Sequence, residues 1–559
     1  MTKGQYLTGA NPYDEQSIAE FTEKKWWLNM TYGDVLDRTV ERYPDKPALM
    51  DERMSLSYRQ LKDNVDRLAI GLLEIGLKKN DIVVLQLPNR CEFYVTYYAL
   101  HRIGVVPLLA VARSGYQEIR GFFDMTEAVG WFVGLRDRDK DFMPLISQVR
   151  SEIPGCEHLI VLDDGLPLPE GAHSLHSLIA RVDPAKYAKG YLDGFRPDPN
   201  DVAVILTTGG TTGAAKGAPR THNSYLAAVR YSCEGDVTPE SVLGVVTPVG
   251  HSMAHQGAGG GAITYGATLV IGSVPRAREI LELIQKWRLT WLVLVPTQLE
   301  DIVNFPELEK YDITSLKYVG STGAALSPST AEKVNRLFDR TGIKFDSARY
   351  GSSEGPVTRP PLSGAPIPRG SVGVPVCPGD RWKVVDARGA ELPPGSEGEL
   401  AVMGPCVFTG YFRSEEDNKG IFTADGYYKT GDLGRVDTKG FIYITGRAKD
   451  VIQRGAESIS PKQIEEQLEQ LPSIAQAAVV GMPDRRLGER ICAYVKLKPG
   501  TKLEFTEMIG ALRDRGAGVL LLPERLELID EFPLTKLGKV DKKALVKDIT
   551  EKLEKEGVI

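Results

Sequence analysis

An alternation limits what this chain can fold into. From residue 57 to about residue 295, apolar runs and amphipathic helical segments follow one another. In "SYRQLKDNVDRLAIGLLEIG", Leu61, Val65, Leu68, Leu72 and Leu73 fall on one stripe, a helical period. Ser57 and Gln60 make a capping box at its start, and Gly76 stands where a helix stop belongs. "DIVVLQL", "CEFYVTYYALHRIG", "HLIVL", "DVAVILTT", "THNSYLAAVRYS", "ATLVIG", "REILELIQKWR" and "TWLVLVP" continue the pattern. Strand and helix alternating in this way predict parallel sheets covered by helices, an α/β fold. Past about residue 350, pieces such as "GELAVMG" and "GRVDTKGFIYITG" have Gly and Asp turns and predict a more antiparallel β section.

A chain of 559 residues exceeds what one hydrophobic core fills. The reading is a large N-terminal domain over residues 1–447 and a small, mobile α+β C-terminal domain over 448–559, with "TGRAKD" as the linker. The tail "KVDKKALVKDITEKLEKEGVI" reads as a solvated terminal helix. Net charge is −6 and no basic stripe occurs, so nucleic acid is not an expected partner. No apolar run reaches membrane-spanning length and the polar N-terminus is no signal peptide, so a cytoplasmic monomer or homodimer is expected. The six cysteines form no CxxC pair, which points away from a zinc ribbon or a disulfide framework.

"TTGGTTGAAKGAPRTH", residues 207–222, carries four glycines, five threonines, a lysine and an arginine. It fails the Walker A pattern, because Ala215 precedes Lys216 and Gly217 follows it. It also lacks dinucleotide-fingerprint spacing. Its physics still suits phosphate. Glycines permit close backbone approach, successive N–H groups make an anion nest, and threonine hydroxyls and Lys216 add donors and charge. Thr208, Gly209, Gly210, Thr211, Thr212, Gly213 and Lys216 are therefore candidate phosphate contacts. His222 and Ser224 either join them or cap the helix that follows.

Four further segments follow in order: "RYGSSEG" (Arg349 to Gly355), "YYKTGDLG" (Tyr427 to Gly434), "GRAKDVIQRGAE" (Gly446 to Glu457) and "PLTKLGKVDKKAL" (Pro533 to Leu545). Alone, Asp432 is a turn residue, Arg447 a surface charge and Lys539 one of many lysines. As an ordered set they resemble the AMP-forming adenylating enzymes over essentially the whole chain, and the aryl-acid AMP ligases such as dihydroxybenzoate–AMP ligases most closely. That resemblance implies ATP, Mg²⁺ and a carboxylic acid as reactants, and an acyl adenylate passed to a thiol. Glu354 matches the Mg²⁺ ligand, and Asp432 the acceptor of the ribose hydroxyls. Arg447 matches a ribose or phosphate contact, and Tyr350 the aromatic beside adenine, with Gly351 and Ser353 around it. Lys539 would bridge the carboxylate and the α-phosphate, with Lys216 and Glu354 the other catalytic candidates. Lys449 matches the hinge, and Gly455, Ala456 and Glu457 the loop that replaces Lys539 for the thiol step.

In that family "TPVGHSMAHQGAGGGA" lines the acid pocket, with His251 at its heart. The aryl-acid look-alikes place an asparagine and a serine where this chain has Ser252 and Gly257. Losing those hydroxyl readers points to an unsubstituted ring acid such as benzoate or cyclohexene-carboxylate. Gly323, Ala324 and Ser352 are further pocket candidates. No carrier domain is fused to the chain, so coenzyme A is the expected thiol, with Arg454 or Arg515 as candidate contacts for its 3′-phosphate. The alternative is a 2,3-dihydroxybenzoate or salicylate ligase that loads an aryl carrier protein.

Overall fold

A computed structural model describes residues 6–208, 215–273, 276–323, 326, 328–454, 457–484, 487–515, 521–535 and 538–558. The expected alternation is present as two seven-stranded sheets. One runs, in spatial order, Lys216–Thr221, Val202–Thr208, Val106–Leu109, Ile82–Gln86, Gly130–Gly134, His158–Leu162 and His173–Ser174. The other runs Lys344–Asp346, Tyr318–Ser321, Trp291–Leu294, Val242–Val245, Thr268–Ile271, Pro47–Met50 and Ser55–Ser57. Each is parallel except at one edge, where a hairpin partner pairs antiparallel. The helix Tyr58–Glu74 starts on the Ser57–Gln60 capping box, and Gly76 has φ +102° at its end.

The helix Cys91–Arg102 is buried from Cys91 through His101. An apolar helix covered all round belongs in a core. Its Phe93, Tyr94 and Tyr97 pack on His255, and Tyr97, Tyr98 and His101 on Tyr32. Each such ring pair contributes about 0.5–1.5 kcal/mol beyond its buried area.

The β section after residue 350 is a four-stranded antiparallel sheet of Arg381–Val385, Gly398–Met403, Tyr428–Val436 and Ile442–Arg447. Beyond it lies a separate five-stranded sheet of Ile452–Arg454, Glu457–Ile459, Ile474–Asp484, Gly488–Leu497 and Arg525–Leu528, with a core of its own. The terminal helix Lys542–Lys555 departs from the solvated reading: it buries Leu545, Ile549 and Leu553 against Val480, Met482 and Tyr494. Three apolar residues at four-residue spacing make a stripe that the surrounding charges hide in a composition count.

Four histidines, three of them buried and His251 half-buried, set a pH dependence. Burial holds His101 down to about 3, His251 and His255 down to about 4, and His222 well below its ordinary value. The unfolded chain takes up these protons near pH 6.5 and the folded chain only at far lower pH. Stability contributed by the four is therefore complete above about pH 6.5 and lost as the pH falls toward 4. Other groups oppose this trend. Burial pushes Asp380 and Glu469 up to about 7, and a hydrogen bond to Glu92 raises His176, so their contributions favour the fold at low pH and fade as pH rises. The four histidines, joined by His173, which burial also lowers, outnumber these three, so acid loss dominates. The denaturant midpoint is expected to fall between about pH 7 and pH 5, and His222→Gln to reduce the slope by about one proton. A midpoint that rises on acidification contradicts this balance.

Candidate active site

Loops that follow the carboxyl ends of parallel strands collect in one crevice, the usual ligand position for open α/β sheets. His251 and Ser252 follow Val242–Val245, Gly323 follows Tyr318–Ser321, and Arg349 to Gly355 follow Lys344–Asp346. Thr208 ends the strand Val202–Thr208 at the same end of its sheet.

The chain does not pass from Thr208 directly through the loop to a helix, as the sequence pattern suggests. The strand Lys216–Thr221 intervenes, antiparallel, with Thr208 opposite Lys216 and Thr207 opposite Gly217. "KGAPRT" escapes a strand reading because Gly and Pro weaken strands, yet this strand is a sheet edge, where Pro219 is tolerated. The two strands thus form a hairpin. Gly209, Gly210, Thr211, Thr212 and Gly213 lie outside the described residues. Thr221 and Ser224 form the capping box of the helix His222–Cys233, so Ser224 caps and does not face the loop. His222 is buried, and its Nδ1 accepts the Tyr32 N–H at 3.2 Å.

Arg220, fully buried, joins the hairpin to its neighbours. It donates to the carbonyls of Ser353 at 3.1 Å, Ser224 at 3.3 Å and Cys406 at 2.5 Å. Ser353 Oγ returns a bond to the Thr207 carbonyl at 3.4 Å. Lys216 pairs with Asp417 at 2.5 Å and lies over the ring of Tyr411, whose hydroxyl donates to Glu354 Oε1 at 2.8 Å. Lys216 and Glu354 therefore share one tyrosine. Glu354 is 8% exposed, and Oε2 has no hydrogen-bond partner among the described residues, so one carboxylate oxygen is left for a cation.

The nucleotide candidates are held by one another. Asp432, 2% exposed, receives the Tyr350 hydroxyl on Oδ2 at 2.5 Å and Arg447 Nε on Oδ1 at 2.6 Å. Asp432 and Arg447 face each other across paired strands, which fixes this contact in the backbone register. Burial raises the Asp432 carboxyl, with Arg447 and Tyr350 pulling the other way. Each oxygen keeps a second lone pair. Tyr350 meets Trp382 edge-on at 6.0 Å. Gly351 and Ser352 continue the turn, bridged by Gly351 to Val357.

Lys539 joins this cleft from the C-terminal segment. Desolvation by the cleft lowers its pKa, Arg447 lowers it further and Asp432 opposes both. The side chain stays solvent-accessible, so the desolvation reflects surrounding walls rather than close cover. The same ammonium depresses His251 after burial does. His251 Nδ1 accepts the Met253 N–H at 3.3 Å, which leaves the proton of the neutral ring on Nε2. Ser252 is buried at the start of a short helical turn, and a π-helical turn, His255–Gly259, follows. Such turns often mark functional positions. A Cβ on Gly257 would lie 3.0 Å from the Trp291 ring, and Gly323, φ +94°, faces Val295. Ala324, Gly455 and Ala456, with the Glu457 side chain, lie outside the described residues. Lys449 sits in the turn Ala448–Asp450 right after the last strand of the four-stranded sheet. Arg454 pairs with Glu524 at 2.7 Å and Arg515 bonds Gln470, so neither candidate for a phosphate contact is unengaged.

Reasoning from sequence did not reach Arg220, Tyr411, Asp417 or Trp382. Nor did it reach the cluster under Glu354, where Cys377, Asp380 and Cys406 bring ligand-type atoms within 4.8 Å of one another. Asp380 Oδ1 accepts the Cys406 N–H at 3.1 Å, and burial raises the Cys406 thiol, so that thiol is protonated and inert. "PRTH" after a glycine-rich loop was the one signal available for Arg220.

This fold and cleft define an adenylate-forming enzyme. The chain belongs to the AMP-binding enzyme family, which it matches over residues 36–412, with that family's C-terminal domain over 463–539. It is 31% identical over 553 residues to a 2,3-dihydroxybenzoate-AMP ligase of Bacillus subtilis, covering 98% of this chain and 99% of the relative. It is 33% identical over 552 residues to a salicyl-AMP ligase / salicyl-S-ArCP synthetase of Mycobacterium tuberculosis, covering 97% and 95%. The apo structure of MbtA from Mycobacterium smegmatis superposes with a TM-score of 0.70 at 31% identity, over 97% of this chain and 99% of that one.

Gly355 tests how tightly Glu354 is placed. It has φ +115°, and a Cβ there would stand 1.8 Å from the Cys406 carbonyl oxygen. Gly355→Ala is expected to lower stability by about 3 kcal/mol or more, through strain and overpacking together. Denaturant unfolding measures it. An alanine variant of wild-type stability contradicts the packing described.

Proposed function

We propose that this enzyme activates an aryl carboxylic acid with ATP and passes the acyl group to the thiol of an aryl carrier protein. The observation that carries this reading is the meeting of Lys539, Arg447, Asp432 and His251 in one cleft. In the first step a carboxylate oxygen forms a bond to the α-phosphorus, the bond to the bridging oxygen breaks, and pyrophosphate leaves. Two anions must approach, so positive charge has to be held ready. Lys539 supplies it between the carboxylate and the α-phosphate. Asp432 receives the ribose hydroxyls on the lone pairs that Tyr350 and Arg447 leave open. The hairpin end with Thr208 opposite Lys216 receives the outer phosphates. Glu354 Oε2 would hold Mg²⁺, which neutralises phosphate oxygens when bound. In the second step a thiol sulfur bonds to the acyl carbon, AMP leaves, and the thiol proton goes to solvent.

The names of the relatives favour hydroxylated aryl acids and a carrier-bound thiol, since they are a 2,3-dihydroxybenzoate-AMP ligase and a salicyl-S-ArCP synthetase. One observation favours a second reading, an unsubstituted ring acid joined to coenzyme A. Ser252 and Gly257 stand where the look-alikes read hydroxyls, and Trp291 closes on the Gly257 face. Product mass spectrometry with ATP and Mg²⁺ separates the two. The panel is salicylate, 2,3-dihydroxybenzoate, benzoate and cyclohexene-carboxylate, each with CoA or a carrier protein. Adenylates of the hydroxylated acids without CoA ester are the expected products. Acyl-CoA from the unsubstituted acids alone replaces the first reading with the second.

The domain division at 447/448, with Lys449 as hinge, belongs to the same proposal. A turn after the last strand of the four-stranded sheet is a place where a large φ/ψ change disturbs little packing. Lys449→Pro is expected to retain one half-reaction and lose the other. Normal rates for both, measured separately by pyrophosphate exchange and by thiolation of preformed adenylate, would remove Lys449 from the hinge.

A further inference from the structure

A cavity of about 360 Å³ lies away from the adenylation cleft. It is walled by the helix Tyr32–Arg42 and by the distal ends of His222–Cys233 and Gly260–Tyr265. Arg230 stands eight residues past His222, so about 12 Å along the helix from the end that meets the hairpin. Arg38, Arg42 and Arg230 all line it. Arg38 and Arg42 are one helical turn apart, a like-charge spacing that destabilises a helix. Among the described residues none of the three forms an ion pair with a carboxylate. Arg38 reaches only the sulfur of Met30 at 3.6 Å, and Arg230 the Lys25 carbonyl at 3.2 Å. Burial and then the two other guanidiniums lower the Arg38 pKa, so the cluster is electrostatically uncompensated. The Thr264 hydroxyl is buried on the same wall with no partner among the described residues, and Lys46 ties down the carbonyls of Pro239 and Gly266 at its rim. A chain of net charge −6 thus concentrates cations around one cavity of ligand size.

We propose that this cavity is a binding site for a phosphate group, separate from the nucleotide cleft. Three guanidinium forks match the oxygens of a phosphate dianion. Thr264 can donate a further hydrogen bond, and Tyr43, Tyr265, Leu28 and Pro239 offer a surface for an organic body. Free phosphate and a phosphate monoester share this chemistry.

The test is isothermal titration calorimetry on the full-length protein saturated with ATP and Mg²⁺ in the absence of any acid, so that the nucleotide cleft, outer-phosphate positions included, is filled. The probes are inorganic phosphate, ribose 5-phosphate, ribose and citrate. Saturable, salt-sensitive binding of the phosphates but not of ribose is expected. The Arg38→Gln, Arg42→Gln double variant is expected to weaken it by about tenfold or more, with ATP affinity changed less than about twofold. Arg230→Gln, on a different helix, gives the same loss should the double variant fold poorly. Tighter binding of ribose 5-phosphate identifies an organic phosphate as the ligand, and equal affinities identify free phosphate. Absence of saturable binding, undiminished binding in folded variants, or citrate binding more tightly than phosphate overturns the proposal.

Discussion

The cleft depends on a single buried cation. Arg220 reaches three carbonyls on three segments: the helix after the hairpin, the turn that carries Glu354, and the loop before Phe408. A charge removed from water needs such compensation, and carbonyl dipoles supply part of it. Asp380 feels the Arg220 charge, yet burial pushes its carboxyl up to about 7. Arg220 is therefore neutralised mainly by backbone oxygens, which makes the backbone path itself the counter-ion. The Ser353–Glu354 turn cannot move away from the hairpin without leaving the guanidinium unsatisfied. Phe408 N–H, bonded to the Glu354 carbonyl at 2.7 Å, closes the same circuit from the other side.

Around that strut the charges in the cleft are arranged so that each is held by a neighbour. Asp432 is gripped on both oxygens, Lys216 is matched by Asp417, and His251 is kept neutral by burial and by Lys539. A neutral His251 with its proton on Nε2 can donate a hydrogen bond to an anionic acid without adding charge to the pocket. Lys539 arrives on the C-terminal segment, while the others stand on the large sheets and on the four-stranded sheet. The segment is tied to that sheet by Ser460 and Lys462, which donate to the carbonyls of Thr445 and Ile444, both at 2.6 Å.

What could be read from sequence was what is local. The capping box at Ser57, the strand runs and the five ordered motifs are patterns within a few residues, and the structure places Asp432, Arg447, Tyr350 and Lys539 in one cleft. What escaped was either contextual or long-range. Lys216–Thr221 is a strand because it pairs with Val202–Thr208, against its own propensity. Arg220 to Cys406, Lys216 to Asp417 and Cys377 to Cys406 join residues whose proximity no spacing rule encodes. The terminal helix was misjudged because its charges outnumber the three residues it buries.

In the proposed reading, the segment from His251 to Gly257 would carry the question of specificity. A site built to hydrogen-bond a hydroxyl discriminates strongly, because its polar groups are left unpaired by an analogue without one. A site without such groups discriminates weakly by shape alone. Ser252 is buried, and Gly257 has handed its side-chain space to Trp291, itself stacked on Tyr318 at 5.4 Å. Restoring a serine at 257 would press Cβ to 3.0 Å from an indole fixed by that stack. A side chain at this position therefore needs Trp291 to change as well, so the two positions constrain each other.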